Sequence, residues 1–96
     1  MNKEELEALT KEGTVVLDFW GTHCAPCKAM LPVLEKLCNE QSIKLVKLNV
    51  QENMHLLKDY KVTSIPHLVL YKDGKQVGTK VGFSGPEVLS LFLKSE

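Results

Sequence analysis

Residues 15–34 read VVLDFWGTHCAPCKAMLPVL, and this stretch decides the fold. It opens on an almost continuously apolar run, rich in β-branched and aromatic side chains, which predicts a strand buried on both faces of a sheet. A short loop follows. From Pro26 onward, apolar residues recur at helical spacing to about Asn39, which predicts a helix. Pro32 lies inside this helix, where we expect a kink rather than an end.

Strand and helix signals alternate along the rest of the chain. Leu6 and Leu9 suit a short amphipathic helix that ends at Gly13. Further elements are predicted as a buried strand over residues 43–50, a short helix or helical turn over 53–60, and strands over 67–71 and 76–81. Lys72-Asp73-Gly74-Lys75 is a hairpin signal between the last two strands. Residues 84–87, Ser-Gly-Pro-Glu, are typical of a helix start with Pro86 in the first turn, and they predict a final helix.

The predicted order is α-β-α-β-α-β-β-α, without repeats, low-complexity segments or linkers, so we expect residues 1–96 to form a single domain. The β-α-β part implies parallel pairing through a right-handed crossover, and the closing hairpin implies an antiparallel edge. These elements predict an α/β fold with a small mixed sheet and helices on both faces.

Composition excludes several classes of function. Twelve basic residues balance twelve acidic ones without a basic stripe, which argues against nucleic-acid or anionic-membrane binding. No apolar run approaches the roughly 18 residues of a membrane span, and residues 1–5 are polar and acidic rather than signal-like. We therefore expect a cytoplasmic protein. Its three cysteines are an awkward number for a secreted disulfide scaffold.

The pair Cys24 and Cys27 stands where the first strand ends and the long helix begins. A helix N-terminus favours a thiolate, and a three-residue step brings two side chains together on one helix face. Pro26 between them suits the first turn. We expect Cys24, at the loop edge, to attack a substrate disulfide, and Cys27, one turn inside, to resolve the mixed disulfide.

Two other interpretations of the pair remain open. Two cysteines at this spacing are also half a zinc site, with Cys38, His23, His55 and His67 as the remaining candidate ligands. No second Cys-x-x-Cys or paired-histidine motif exists to complete such a site. The other interpretation is a chance pair of buried cysteines. Cys38 lies on the apolar stripe of the helix, where we expect a buried and inert thiol rather than a regulatory one.

Several segments, in register, resemble the thioredoxin family from about Thr14 to the C-terminus. They are residues 19–28, FWGTHCAPCK, with Asp18 before them and Pro32 after them, residues 47–50, KLNV, residues 63–66, TSIP, and the closing KDG and KVG at 72–74 and 80–82. The resemblance implies a thioredoxin fold whose sheet is trimmed to four strands, because the chain lacks the extra strand that many members carry before the first helix. It also implies a protein dithiol–disulfide oxidoreductase that reduces disulfides in other proteins.

The resemblance assigns roles to residues outside the cysteine pair. Pro66, preceded by Ile65, is expected to be a cis-proline that faces the cysteines and docks substrate backbone, with Gly82 flanking the same surface. Asp18, within an apolar strand, should have a raised pKa and assist proton removal from Cys27. Lys47 is expected to lie near Asp18 and modulate it.

The residues around the cysteines complete the predicted substrate-binding set. Trp20 is expected to pack beside the pair, with core packing as the alternative. His23 stands where the family usually has tryptophan; once protonated it would favour the thiolate, unless it is only an exposed loop residue. Ala25, beside Pro26, replaces a usual glycine and should stiffen the loop.

The sequence also carries expectations about cofactors and partners. A redox-active Cys24–Cys27 disulfide needs no bound cofactor, and recharging is expected from a thioredoxin-reductase-like flavoprotein, with glutathione as an alternative reductant. Substrates would be disulfide-containing proteins, and the chain is expected to be a monomer. Two alternatives stay open: a more oxidising disulfide oxidase or isomerase, and a binding module whose cysteines are dispensable.

Overall fold

The computed structural model describes residues 1–95 and confirms the predicted order of elements. The helices are α1 (Lys3–Thr10), α2 (Ala25–Glu40), α3 (Met54–Leu57) and α4 (Pro86–Leu93). The strands are β1 (Thr14–Trp20), β2 (Lys44–Asn49), β3 (His67–Lys72) and β4 (Lys75–Val81). Among these residues, no helix combines the length and apolar character needed to cross a membrane.

The four strands form one mixed sheet in the order β2-β1-β3-β4. β1 pairs in parallel with β2 and antiparallel with β3, and β4 closes the sheet as an antiparallel edge strand. The parallel pair and the closing hairpin were both predicted. The prediction that the second strand is buried was wrong. β2 is an edge strand in which only Val46 and Leu48 are buried, because its outer edge has no neighbouring strand among the described residues.

Strand alternation divides the core between the two faces of the sheet. One cluster joins Leu17 and Phe19 of β1 to Leu6 of α1 and Leu56 of α3. The other cluster covers the opposite face and draws on α2 and α4, with members Val16, Met30, Leu34, Cys38, Ile43, Leu68, Leu70, Leu89 and Leu93. Helices therefore lie on both faces, as predicted. Asp18 belongs to neither cluster and, by alternation along β1, lies on the same face as Val16, the face covered by α2 and α4.

The ends of the helices differ in detail from the predictions. α1 ends at Thr10, and Gly13 lies three residues beyond it, in a left-handed conformation (φ 74°) just before β1. α2 runs on through Pro32, which confirms that the helix does not end there. α3 is a single turn, shorter than the predicted range. Pro86 opens α4 as predicted, and Gly85 is the N-cap.

Candidate active site

Cys24 and Cys27 form a disulfide at the N-terminus of α2. Their Cα atoms are 5.3 Å apart. Cys24 is the N-cap residue, and its sulfur accepts a hydrogen bond from the Cys27 backbone N–H at 3.2 Å. This N–H is one of the free donors of a helix start, so the cap places positive electrostatic potential on the Cys24 sulfur. Cys24 is half-buried and Cys27 is buried, as expected for an attacking and a resolving thiol.

A polar network that sequence reasoning missed fixes the loop before the disulfide. The Thr22 hydroxyl donates to the Gln51 side-chain oxygen at 2.8 Å and accepts from the Asn49 side-chain amide at 3.3 Å. The Gln51 backbone N–H in turn donates to the Asn49 side-chain oxygen at 2.8 Å. Asn49 ends β2, and the Val50 N–H bonds the Trp20 carbonyl at 2.8 Å. The carboxyl ends of two parallel strands thereby hold the active-site loop between them.

The Ile65–Pro66 segment lies against this loop, with a cis peptide bond before Pro66 as the resemblance implied. The Pro66 carbonyl accepts the Gly82 N–H at 2.8 Å, so the two predicted docking residues are joined directly. Gly82 has a φ of 91°, which favours glycine. Ile65 also lines an apolar cavity of about 180 Å³ with Val50 and Leu57. Phe83, exposed beyond Gly82, adds apolar surface that the sequence analysis did not single out.

The remaining predicted binding residues differ in exposure. Trp20 is half-buried at the end of β1, whereas His23, Ala25 and Pro26 are exposed. His23 thus lies in the exposed loop next to Cys24. Ala25 and Pro26 form the first turn of α2, between the two cysteines.

Gly21 leaves room for Ile65 at the edge of the active-site loop. A Cβ atom at Gly21 would lie 2.7 Å from the Ile65 Cδ1 and 3.8 Å from the Cys24 Cβ. Since the tip of Ile65 can rotate away, we expect Gly21→Ala to cost only about 1 kcal/mol of stability. It should raise the KM for a disulfide substrate by about threefold to tenfold by displacing Ile65. Steady-state kinetics and urea unfolding measure the two effects.

Gly85→Ala is the matched control for this prediction. A Cβ there meets nothing within 4 Å, and the backbone φ of −77° suits alanine. Its KM should equal that of the wild type. Equal KM values for the two variants would mean that Ile65 does not shape the docking surface.

Asp18 is buried in the middle of β1, with 3% of its surface exposed. One of its carboxylate oxygens is fully buried without a hydrogen-bond partner among the described residues. Burial raises the pKa of Asp18 from 3.8 to about 6, and the positive charge of Lys47 partly opposes this rise. A carboxyl group with a pKa near neutrality, facing the helix that carries both cysteines, is able to exchange protons at physiological pH.

Lys47 is the register neighbour of Asp18 in the parallel pairing of β1 with β2. Its flanking residues Val46 and Leu48 belong to the core cluster on the α1 and α3 side, so Lys47 faces α2, as Asp18 does. Its ammonium group is 3.3 Å from the Glu35 carboxylate on α2. The predicted proximity of Lys47 to Asp18 is therefore present, and Glu35 is a partner that the sequence analysis missed.

The other cysteine and two of the histidines do not join the disulfide. Cys38 is buried and free, and its pKa is raised to about 11 by burial and then by the negative charge of Asp18. His67 packs edge-on against Phe19 and is buried with a lowered pKa. His55 bonds the Met1 carbonyl at 2.6 Å. Within residues 1–95, no three His, Cys, Asp or Glu side chains are grouped so as to hold a metal ion, so the zinc interpretation lacks its ligands.

Comparison with known proteins agrees with the site geometry. The thioredoxin family model matches residues 1–95. The chain belongs to the thioredoxin family. Thioredoxin from Bacillus subtilis is 46% identical over 88 residues, which are 90% of this chain and 85% of that protein. Thioredoxin from Pseudomonas aeruginosa is 38% identical over 91 residues, covering 93% of this chain and 84% of the relative.

Two solved thioredoxin structures share the fold of this chain. A mutant thioredoxin from Halobacterium salinarum superposes with a TM-score of 0.89 at 32% identity, covering 98% of this chain and 84% of that one. Oxidised mitochondrial thioredoxin 3 from Saccharomyces cerevisiae gives 0.86 at 36% identity, covering 95% and 87%. With its disulfide-forming Cys-x-x-Cys pair, the chain is a thiol–disulfide oxidoreductase of the thioredoxin type, a reductase of protein disulfides.

Proposed function

We propose that Cys24 and Cys27 carry the reaction in two exchanges. The Cys24 thiolate attacks one sulfur of a substrate disulfide, which forms a mixed disulfide and releases the other substrate sulfur as a thiolate. The Cys27 thiolate then attacks the Cys24 sulfur and releases the second substrate thiolate. The substrate gains two electrons, and this chain is left with the Cys24–Cys27 disulfide. The observation that carries this assignment is the half-buried Cys24 sulfur capping α2 beside a buried Cys27.

Asp18 assists the second exchange by accepting the proton of the Cys27 thiol. Its support is its position in β1, facing α2, together with a pKa raised by burial to about 6. A carboxylate of this basicity accepts a proton from a nearby thiol far better than an ordinary aspartate would. Lys47 modulates the group by favouring the ionised form.

Substrate docks as a polypeptide segment over the surface that surrounds the disulfide. Pro66 and Gly82 lie together at the ends of β3 and β4, where a substrate backbone approaches closely over the glycine. The remaining contacts come from residues next to the disulfide and from the residue before Pro66. These are Trp20, His23, Ala25, Pro26 and Ile65.

The protein works without a bound cofactor, because its own cysteine pair carries the two electrons as the reduced dithiol. Its partners are disulfide-containing proteins on one side and, on the other, a thioredoxin-reductase-like flavoprotein that returns it to the dithiol. In this cycle the protein acts as an electron carrier. It does so as a monomer in the cytoplasm, where it contributes to cell redox homeostasis.

Equilibration of the disulfide against defined glutathione and dithiol buffers, followed by Trp20 fluorescence, tests the proposal. We expect a reversible two-electron transition with a midpoint more reducing than about −250 mV. A midpoint near that of an oxidase, about −120 mV, would instead assign an oxidising role and implicate the exposed His23. A double Cys24→Ser, Cys27→Ser variant is the control, and its fluorescence should not respond to the buffer. If neither the fluorescence nor the thiol alkylation of the wild type changed with the redox buffer, the redox function would be overturned.

A further inference from the structure

Lys47 has two carboxylates as neighbours, one buried and one exposed. Asp18, its register neighbour in β1, is buried, whereas Glu35 on α2 is exposed at the surface. Lys47 and Glu35 have 46% and 49% of their side-chain surfaces exposed. A lysine ammonium on a flexible stem is free to divide its time between two such anions.

In the structure, the ammonium group lies on the surface carboxylate. The Lys47 Nζ is 3.3 Å from the Glu35 Oε2, and this is the ion pair that Lys47 makes among the described residues. Lys47 acts on Asp18 through space, without a direct hydrogen bond to it. Glu35 thus holds the lysine in a position from which it only partly neutralises the buried carboxylate.

We propose that Glu35 is a positioning residue that draws the Lys47 ammonium away from Asp18 and so keeps Asp18 basic enough to take a proton from Cys27. The inference deepens the proposed function and rests on the proton-accepting role of Asp18. Glu35 acts through Lys47 and does not touch the reacting sulfurs.

Among the groups near Asp18, Lys47 is the main charged group whose position can change. Cys27 and Cys38 are both buried residues of α2, Cys38 belongs to the cluster on this side of the sheet, and in the oxidised protein Cys27 does not titrate. β3 contributes the apolar Leu68 opposite Asp18, and on β4 the half-buried Lys80 lies one strand beyond it. α4 covers the same face with the apolar Leu89 and Leu93.

The test is the titration of the Asp18 carboxyl carbon by NMR in oxidised protein, where the active-site thiols are absent. In Glu35→Gln, the released Lys47 ammonium moves toward Asp18, and we expect the pKa of Asp18 to fall by a few tenths of a unit. Glu40→Gln, which removes an exposed carboxylate from the same helix, should leave the titration where it is. In a Lys47→Gln background, Glu35→Gln should produce less than half of the shift that it produces alone.

Three results would overturn the inference: an unchanged pKa in Glu35→Gln, a raised one, or an equal shift in the Lys47→Gln background. A raised pKa would mean that Glu35 fixes the lysine where it helps Asp18 ionise. Because this titration is independent of turnover, it separates the inference from the catalytic role of Asp18, which rate measurements on an Asp18 variant test. If Asp18 is catalytic, the rate of mixed-disulfide resolution should rise with pH as Asp18 ionises. In Glu35→Gln, this rise should shift to lower pH by the same amount as the pKa of Asp18.

Discussion

Cys27→Ser should stop turnover at the mixed disulfide. Serine cannot attack the Cys24 sulfur, so the first exchange proceeds and the second does not. Steady-state reduction of a protein disulfide should fall by at least about a thousandfold, while a covalent adduct with the substrate accumulates. Non-reducing electrophoresis and mass spectrometry detect this adduct. Cys24→Ser should be equally inactive but form no adduct, because Cys27 is buried under the helix start.

Cys38→Ala provides the matched control for the cysteine variants. Cys38 is buried in the α2 and α4 cluster, away from the disulfide, with a pKa of about 11 that keeps it protonated. We expect wild-type turnover and a loss of about 1 kcal/mol in the free energy of unfolding, from the cavity that replaces the sulfur. Adduct formation by Cys24→Ser, or loss of turnover in Cys38→Ala, would contradict the assignment of the attacking and resolving thiols.

Asp18→Asn should gain stability relative to the wild type as the pH rises. The pKa of this carboxyl is 3.8 in the unfolded chain and about 6 in the folded one. Between these values the folded state binds more protons than the unfolded state, so wild-type stability falls through this window. The stability difference between variant and wild type should therefore grow by about 3 kcal/mol from about pH 3.5 to about pH 8. Urea unfolding of the oxidised proteins measures it.

The same variant should resolve its mixed disulfide more slowly. Asparagine cannot accept the Cys27 proton, and we expect a loss of about tenfold to a hundredfold near neutral pH, since solvent still removes the proton slowly. Stopped-flow measurement of the second exchange reports this step. Asp59→Asn, at an exposed position, should change neither stability nor rate. A difference in stability that stays flat with pH would show that the charge on Asp18 is not what destabilises the fold.

Most of the fold could be predicted because local patterns and global packing agree. The apolar run that became β1 is central, flanked by β2 and β3, and its predicted burial is confirmed. The mistake about β2 has a physical cause. Its apolar residues resemble those of β1, but the exposure of a strand depends on which neighbours it finds, and Lys44 and Lys47 were the only local sign of an edge.

The site was predictable where the chemistry is local in sequence. Cys24, Cys27 and Pro26 lie within four consecutive residues, so a helix start alone brings them together. Asp18 stood out because a carboxylate in an apolar strand needs an explanation. Glu35 did not stand out, because exposed glutamates are common on helices. Only the folded crossover from β1 through α2 to β2 brings Glu35 next to Lys47. The ties between Thr22 and Gln51 likewise depend on strand pairing that no local pattern shows.

Both edges of the sheet carry lysines, two on each: Lys44 and Lys47 on β2, and Lys75 and Lys80 on β4. The formal net charge of the chain at pH 7 is +0, so long-range repulsion does little to keep two molecules apart. Exposed strand edges are where backbones of separate molecules would otherwise pair, and lysine there makes such pairing unfavourable. Colloidal stability of this protein near neutral pH therefore depends on where its charges lie rather than on their sum.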